Sequence, residues 1–157
     1  MSKLQYSPSK ILKLQNVLVC KVELLEENMD FNLIIDKMKS YIKVKGGVQI
    51  GPLIQHTKKF VNEKEELDVE ISFLLQCNIF IHSVEKTYRM EPVLRIPNCM
   101  YCRYMGPEQL LKFAYDKIQL EAFDNDIPLK GDSYTIFVYR DEENETITAD
   151  VFMERAD

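Results

Sequence analysis

Histidine is scarce in this sequence, where His56 and His82 are the two that occur among 157 residues. A Ser–His–Asp or Cys–His arrangement needs a histidine as its base, and both positions are more typical of structural or surface histidines. No GxSxG elbow, Walker loop or dinucleotide fingerprint occurs, and five glycines are too sparse for a phosphate cradle. We therefore predict that the protein is not an enzyme.

Long apolar runs are also missing. A secretion signal needs an apolar stretch of ~7–15 residues near the start, and a membrane helix needs ~20. The apolar residues near the N-terminus are interrupted by Lys10, Lys13 and Gln15. This pattern predicts a cytoplasmic protein that does not contact the membrane.

Basic residues are too few and too scattered for a duplex-binding surface. The chain carries 25 acidic and 20 basic residues, a net charge of −5, whereas DNA binding depends on clustered Lys and Arg that displace counterions from phosphates. The densest basic group lies within residues 37–45 and is typical of a solvated helix face. We predict no direct contact with nucleic acid.

The four cysteines do not form a convincing metal or redox motif. Cys99 and Cys102 have CxxC spacing, but zinc would need a second ligand pair that the sequence lacks. A redox CxxC should open a helix, whereas this one lies in a stretch that is typical of a strand. We therefore predict reduced structural thiols and neither a metal nor a cofactor.

Periodicity and turn residues predict the order of elements. Asp30 is a suitable N-cap for a helix whose apolar residues recur at spacings of three and four, and Gly46-Gly47 would end that helix. Val69, Ile71, Phe73 and Leu75 alternate with polar residues, as in a strand with one wet face. We predict a loose segment over the first ten residues, strands 14–24, 48–61, 67–75, 133–140 and 146–153, extended segments 87–96 and 98–105, and helices 31–45 and 107–123.

The two halves of this order match element for element. Gly51 and Gly131 lie 80 residues apart, and the alternating segments that end the two halves are related by a similar offset. We predict an α+β fold in which duplicated strand–helix–strand–strand units form one antiparallel sheet with two helices on one face. The pseudo-repeats, about 11–80 and 85–155, would make up a single domain, 1–157, with a cleft at their seam.

One run of residues carries a family resemblance. YCRYMGPEQ (101–109), a helix, GDSYTIFVYRD (131–141), an acidic gap and the strand 147–153 resemble the second half of the GyrI-like small-molecule-binding domains. Those domains serve as effector-binding modules of bacterial transcription regulators. This chain would be a divergent, stand-alone member of that family.

The resemblance implies a non-catalytic protein that holds a small aromatic or amphipathic ligand in the cleft between the repeats. Family members that bind cationic aromatic ligands place a glutamate where this chain has Thr135, and Phe137 stands where they have a tyrosine. Family members proposed as hydrolases use a glutamate and a tryptophan, and this chain has no tryptophan. The candidate ligand-binding residues are Tyr101, Tyr104, Tyr134, Thr135, Phe137 and His56.

A second hypothesis for the function remains open. The same fold, having lost the ligand glutamate, would serve as a homo-oligomer or a protein-interaction or adaptor module, for example a secretion-associated accessory factor. The segment 79–81, with Val93 and Ile96, would then form an exposed apolar edge that a partner covers.

Overall fold

In a computed structural model that describes residues 2–22 and 30–157, the chain has an α+β fold. The elements of the described residues, in chain order, are β1 Lys3–Val22, α1 Phe31–Val44, β2 Gln49–Val61, β3 Leu67–Cys77, β4 Tyr88–Pro107, a 3₁₀ turn Glu108–Leu110, α2 Lys112–Asp124, β5 Leu129–Asp141 and β6 Thr146–Arg155. These elements form two compact units. The first unit is Lys13–Leu94, and the second consists of residues 2–12 with Arg95–Asp157.

In the first unit, β3 is the middle strand. It pairs antiparallel with the second half of β1 and with β2. The predicted cap and stripe of α1 are confirmed: the Asp30 carboxylate accepts from the amides of Asn32 and Leu33, and Met38 and Ile42 are buried. They pack with apolar residues of β1 and β3 in one core cluster.

In the second unit, β6 is the middle strand and pairs antiparallel with β4 and β5. The buried stripe of α2 consists of Ala114, Ile118 and Ala122. It packs against alternate residues of the strands, among them Met100 on β4 and Val151 on β6. Each helix therefore covers one face of the strands in its own unit. The expectation that the units are copies stays a prediction.

The prediction of a loose N-terminus was wrong, because β1 begins at Lys3. Its first residues find partners far along the chain: Arg155 donates to the carbonyl of Pro8 at 3.1 Å, and Ser9 Oγ donates to Asn98 Oδ1 at 3.2 Å. Local composition cannot reveal such partners. At the other end of this strand, residues 23 and 24 of the predicted strand 14–24 lie outside the described residues.

The extended segments predicted at 87–96 and 98–105 belong to one strand. β4 is one strand through Pro92 and Pro97, since both are exposed and an extended backbone accommodates the fixed φ of proline. Pro107 ends β4 instead of opening the helix. Its ψ is 132°, and the next amide, that of Glu108, donates to the carbonyl of Glu145. The α-helix consequently begins at Lys112.

The exposed apolar edge expected at 79–81 and Val93 is present in part. Val93 is 50% exposed and Ile79 37% exposed, but Ile81 and Ile96 are buried. None of the helices that the structure describes is both long and apolar enough to cross a membrane.

Candidate functional site

The six candidate ligand residues are divided between the two units. Five of them lie in the second unit, on β4 and β5, whereas His56 lies on β2 of the first unit, opposite Ser72. The structure further divides the five between the two faces of their strands.

Tyr104, Thr135 and Phe137 lie on the face that α2 covers. Tyr104 is fully buried and its hydroxyl donates to the carbonyl of Pro107. The Thr135 hydroxyl shares a hydrogen bond with the hydroxyl of Tyr115 on α2, and Phe137 packs against the helix-side core. These three side chains are already engaged within the unit.

Tyr101 and Tyr134 lie on the opposite face, because successive side chains of a strand point to opposite sides. The Tyr101 ring packs against Phe152 of β6 with ring centroids 5.0 Å apart, and the Cα of Tyr134 is paired with that of Phe152. All three side chains are buried. They form an aromatic layer across β4, β6 and β5.

A buried carboxylate lies beside this layer. Asp150 of β6 is 9% exposed and stands directly across the strand pair from Arg103 of β4. Arg103 Nε donates to Asp150 Oδ1 at 2.7 Å and Nη2 to Oδ2 at 2.9 Å, while the Tyr101 hydroxyl donates to Oδ1 at 2.8 Å. This bidentate, charge-assisted geometry is the strong form of an ion pair.

A lysine completes the group. Lys10 Nζ lies 4.1 Å from the centroid of the Tyr101 ring, within the range of a cation–π contact. We call Lys10, Tyr101, Arg103, Asp150 and Phe152 the Tyr101 cluster. It joins an aromatic surface to three charges.

Burial and hydrogen bonding set the protonation of Tyr101 and Arg103. Burial raises the pKa of the Tyr101 phenol to about 12, with the hydrogen bond to Asp150 as the second cause. The hydrogen bonds with Asp150 raise the pKa of Arg103, against the opposing effect of burial. At neutral pH Tyr101 is consequently a neutral hydrogen-bond donor and Arg103 a cation.

The cysteines lie inside the fold. Cys99 and Cys102 are both in β4, as predicted, and all four cysteines are buried free thiols. Burial raises the pKa of the Cys99 thiol to about 11. Within the described ranges, no group of three or more His, Cys, Asp or Glu is placed to hold a metal ion.

This fold occurs in solved structures, although no family model and no curated protein matches the chain. The crystal structure of the EcmrR C-terminal domain matches with a TM-score of 0.60 and 16% identity, over 99% of this chain and 96% of that one. The EcmrR chain in a complex with DNA matches with a TM-score of 0.59 and 16% identity, over 99% of this chain, and this chain spans 57% of its length. A hydrolase from Listeria innocua matches with a TM-score of 0.55 and 8% identity, over 99% of this chain and 91% of that one. At these identities the likeness shows a shared fold.

Arg103, Asp150 and Lys10 are not among the ligand-binding residues predicted from the sequence. One sequence signal was available for Asp150, because it places a charge within the strand TITADVFM. It alternates with the apolar residues of that strand, so its side chain lies on the opposite face. A charged residue at such a position is ordinarily interpreted as solvent-exposed. Arg103, the partner of Asp150, is 47 residues away in the sequence. Only the register of β4 with β6 brings the two together.

An open groove lies elsewhere, in the first unit. It has a volume of about 620 Å³ and runs along the outer face of α1, beside Glu85 and Tyr88. The Tyr41 hydroxyl accepts from the Glu85 amide at 3.1 Å, and the Tyr41 and Tyr88 rings are 4.6 Å apart. None of the six candidate residues lines this groove.

Proposed function

We propose that this chain is a non-catalytic small-molecule-binding protein, a divergent member of the GyrI-like effector-binding type, whose ligand is a small aromatic or amphipathic compound. The observation that carries the proposal is the Tyr101 cluster. It combines a buried aromatic layer with a fixed carboxylate and two cations, the mixture of apolar surface and few placed polar groups that is typical of ligand sites.

The fold that this chain shares with solved structures supports the proposal but does not identify a ligand. The EcmrR C-terminal domain matches nearly the whole of this chain. The residues that suggested the GyrI-like family lie mainly in β4, β5 and β6, and β4 and β6 carry four of the five cluster residues. The match to a hydrolase is at 8% identity, which shows a shared fold and gives no reason to assign catalysis here. EcmrR is found in a complex with DNA, but the net charge of −5 here opposes direct contact with nucleic acid. We propose a cytoplasmic location.

Of the six candidates, we propose that Tyr101 and Tyr134 contact the ligand. Their rings belong to the aromatic layer, whereas Tyr104 and Thr135 already hydrogen-bond within the helix-side core. Both rings are buried, so ligand entry requires a movement of side chains at the cluster.

A thermal-shift screen with aromatic and amphipathic compounds tests the proposal, since a ligand that binds the folded state raises the unfolding temperature. Compounds that stabilise the protein are then measured by calorimetry against Tyr101→Leu and, as a control, Tyr139→Leu, whose side chain is 64% exposed. We expect Tyr101→Leu to weaken binding at least about tenfold and Tyr139→Leu to have little effect. A library with no stabilising compound, or equal binding to both variants, would refute the proposal.

The groove along α1 favours a second candidate function, a protein-interaction module. Val44, which lines it, is 81% exposed, and Leu33 is 52% exposed. If two copies associate through this groove, light scattering should show a concentration-dependent oligomer that Val44→Glu abolishes. Val61→Glu, on β2 and outside the groove, is the matched control. A strict monomer at all concentrations would count against self-association.

A further inference from the structure

The charges of the Tyr101 cluster are unequally accessible. Lys10 is exposed, and the Arg103 side chain is 36% exposed, whereas that of Asp150 is 12% exposed. A compound that approaches this cluster from solvent therefore meets two cations before it meets the carboxylate.

Asp150 is also occupied. Its Oδ1 accepts from the Tyr101 hydroxyl and from Arg103 Nε, and its Oδ2 accepts from Arg103 Nη2. A cationic ligand would have to displace Arg103, and an uncompensated guanidinium at this position is unfavourable. The carboxylate thus neutralises its own arginine and offers little to an incoming cation.

Within the part of the chain that the structure describes, Lys10 is the charge of the cluster without an acidic partner. Its ammonium contacts the face of Tyr101, and among the described residues no carboxylate forms an ion pair with it. With Lys10 and Arg103 positive and Asp150 negative, the cluster carries a net charge of +1. An anion at this site would complete the charge balance.

We infer that the ligand of this chain is an aromatic monoanion, whose ring packs on the layer of Tyr101 and Phe152 and whose acidic group pairs with Lys10 and the free edge of Arg103. The inference rests on the proposed function. It differs from the cationic ligands that the family resemblance implies. At the position of the family's glutamate this chain has Thr135, whose hydroxyl is bound to Tyr115 on the other face of the strands.

A matched pair of ligands tests the inference. Naphthoate and naphthylmethylammonium share one ring system and differ in the sign of their charge, so calorimetry with each at low salt isolates the electrostatic preference. We expect naphthoate to bind at least about tenfold more tightly, the equivalent of one charge-assisted contact. Added salt should narrow the difference.

Variants of Lys10 and Lys13 test where naphthoate binds. Lys10 is exposed, so Lys10→Glu should fold, and we expect it to weaken naphthoate binding at least about tenfold without weakening that of the ammonium compound. Lys10→Gln should give an intermediate loss. Lys13→Glu makes the same charge change at another exposed position of β1 and should change naphthoate affinity by less than about twofold.

The outcomes separate the two claims. If neither naphthalene compound binds and the broader library also fails, the proposed function falls and this inference with it. If the ammonium compound binds as tightly as naphthoate or more tightly, the binding function stands and the anion preference is wrong. If Lys10→Glu and Lys13→Glu weaken naphthoate binding equally, the preference for the anion is an effect of the protein's net charge, and the assigned site is wrong.

Discussion

Asp150 is a charged residue inside a strand pair, and its two partners, Arg103 and Tyr101, depend on it. We predict that Asp150→Asn lowers the free energy of unfolding by about 2 kcal/mol, because it removes the counter-charge of the half-buried Arg103 guanidinium and weakens the hydrogen bond of the Tyr101 hydroxyl. Urea denaturation followed by circular dichroism measures this loss.

The matched control for that change is Asp116→Asn on the exposed side of α2. Loss of the charge of an exposed carboxylate should alter stability by no more than about 0.5 kcal/mol. If the two variants unfold at the same urea concentration, the Arg103–Asp150 pair contributes nothing beyond a surface contact.

Tyr101 makes the free energy of unfolding depend on pH in the alkaline range. Its pKa is 10.0 in an ordinary environment and about 12 in the folded state. The folded state therefore holds the proton more tightly, and this contribution is complete below pH 10 and is lost as the pH rises toward 12. We predict that Tyr101→Phe costs about 1 kcal/mol near neutral pH, through the lost hydrogen bond to Asp150.

The sign of the pH effect gives this prediction its test. Above pH 10 the wild type loses the Tyr101 contribution and Tyr101→Phe has none to lose, so the difference in unfolding free energy between the two proteins should shrink. Urea titrations at a series of pH values measure that difference. A constant difference from neutral pH to about pH 11 would show that the phenol titrates normally.

At the scale of the element, α1 is the clearest case of a local signal that is borne out. Asp30 accepts from two amides of the first turn, and Gly46, with φ +84°, follows the last turn in a conformation that glycine adopts without strain. We predict that Asp30→Ala destabilises the protein by about 1 kcal/mol, measured by chemical denaturation.

Asparagine is the control at this cap, because it also accepts from the first-turn amides. Asp30→Asn should retain most of the stability, which separates the cap from the charge of Asp30. An alanine variant as stable as the wild type would mean that packing of Met38 and Ile42 alone holds the start of α1.

The long strands show where local signals fail. β1 and β4 each contribute residues to both units, and β1 begins in a polar segment that composition alone predicts to be loose. Its first residues form hydrogen bonds with distant partners, among them Arg155 and Asn98. In the same way, the two extended segments predicted on either side of Pro97 are parts of one strand, β4.

At the scale of the whole molecule, burial should make the thiols report on global unfolding. All four cysteines are buried, and burial raises the pKa of each, that of Cys99 to about 11. At about pH 8 the reactive thiolate is scarce and shielded. We predict negligible reaction of the native protein with Ellman's reagent and the reaction of four thiols in denaturant.

Glutathione under the same conditions is the control for reagent and pH. The rate at intermediate denaturant should follow the unfolding transition measured by circular dichroism, since exposure of the thiols requires opening of the core. Rapid labelling of any cysteine in the native protein would contradict the burial of that residue.

Local sequence by itself determined the elements whose signals repeat within a few residues. The cap, stripe and end of α1 are of this kind, as are the alternation of Phe73 and Leu75 in β3, that of Val151 and Met153 in β6, and the acidic turns between paired strands. The prediction that the chain is not an enzyme also rests on the sequence alone, through the scarcity of histidine and the missing motifs.

The tertiary structure decided which side chains meet. Tyr101 and Tyr104 look equivalent in the sequence, but an odd spacing in a strand sends them to opposite faces. Only the pairing of β4 with β6 shows that Tyr101 bonds to Asp150 and that Arg103 neutralises it. Strand register is a long-range property, set here by contacts between residues 39 to 55 positions apart, so the charge of the candidate site could be determined only from the folded chain.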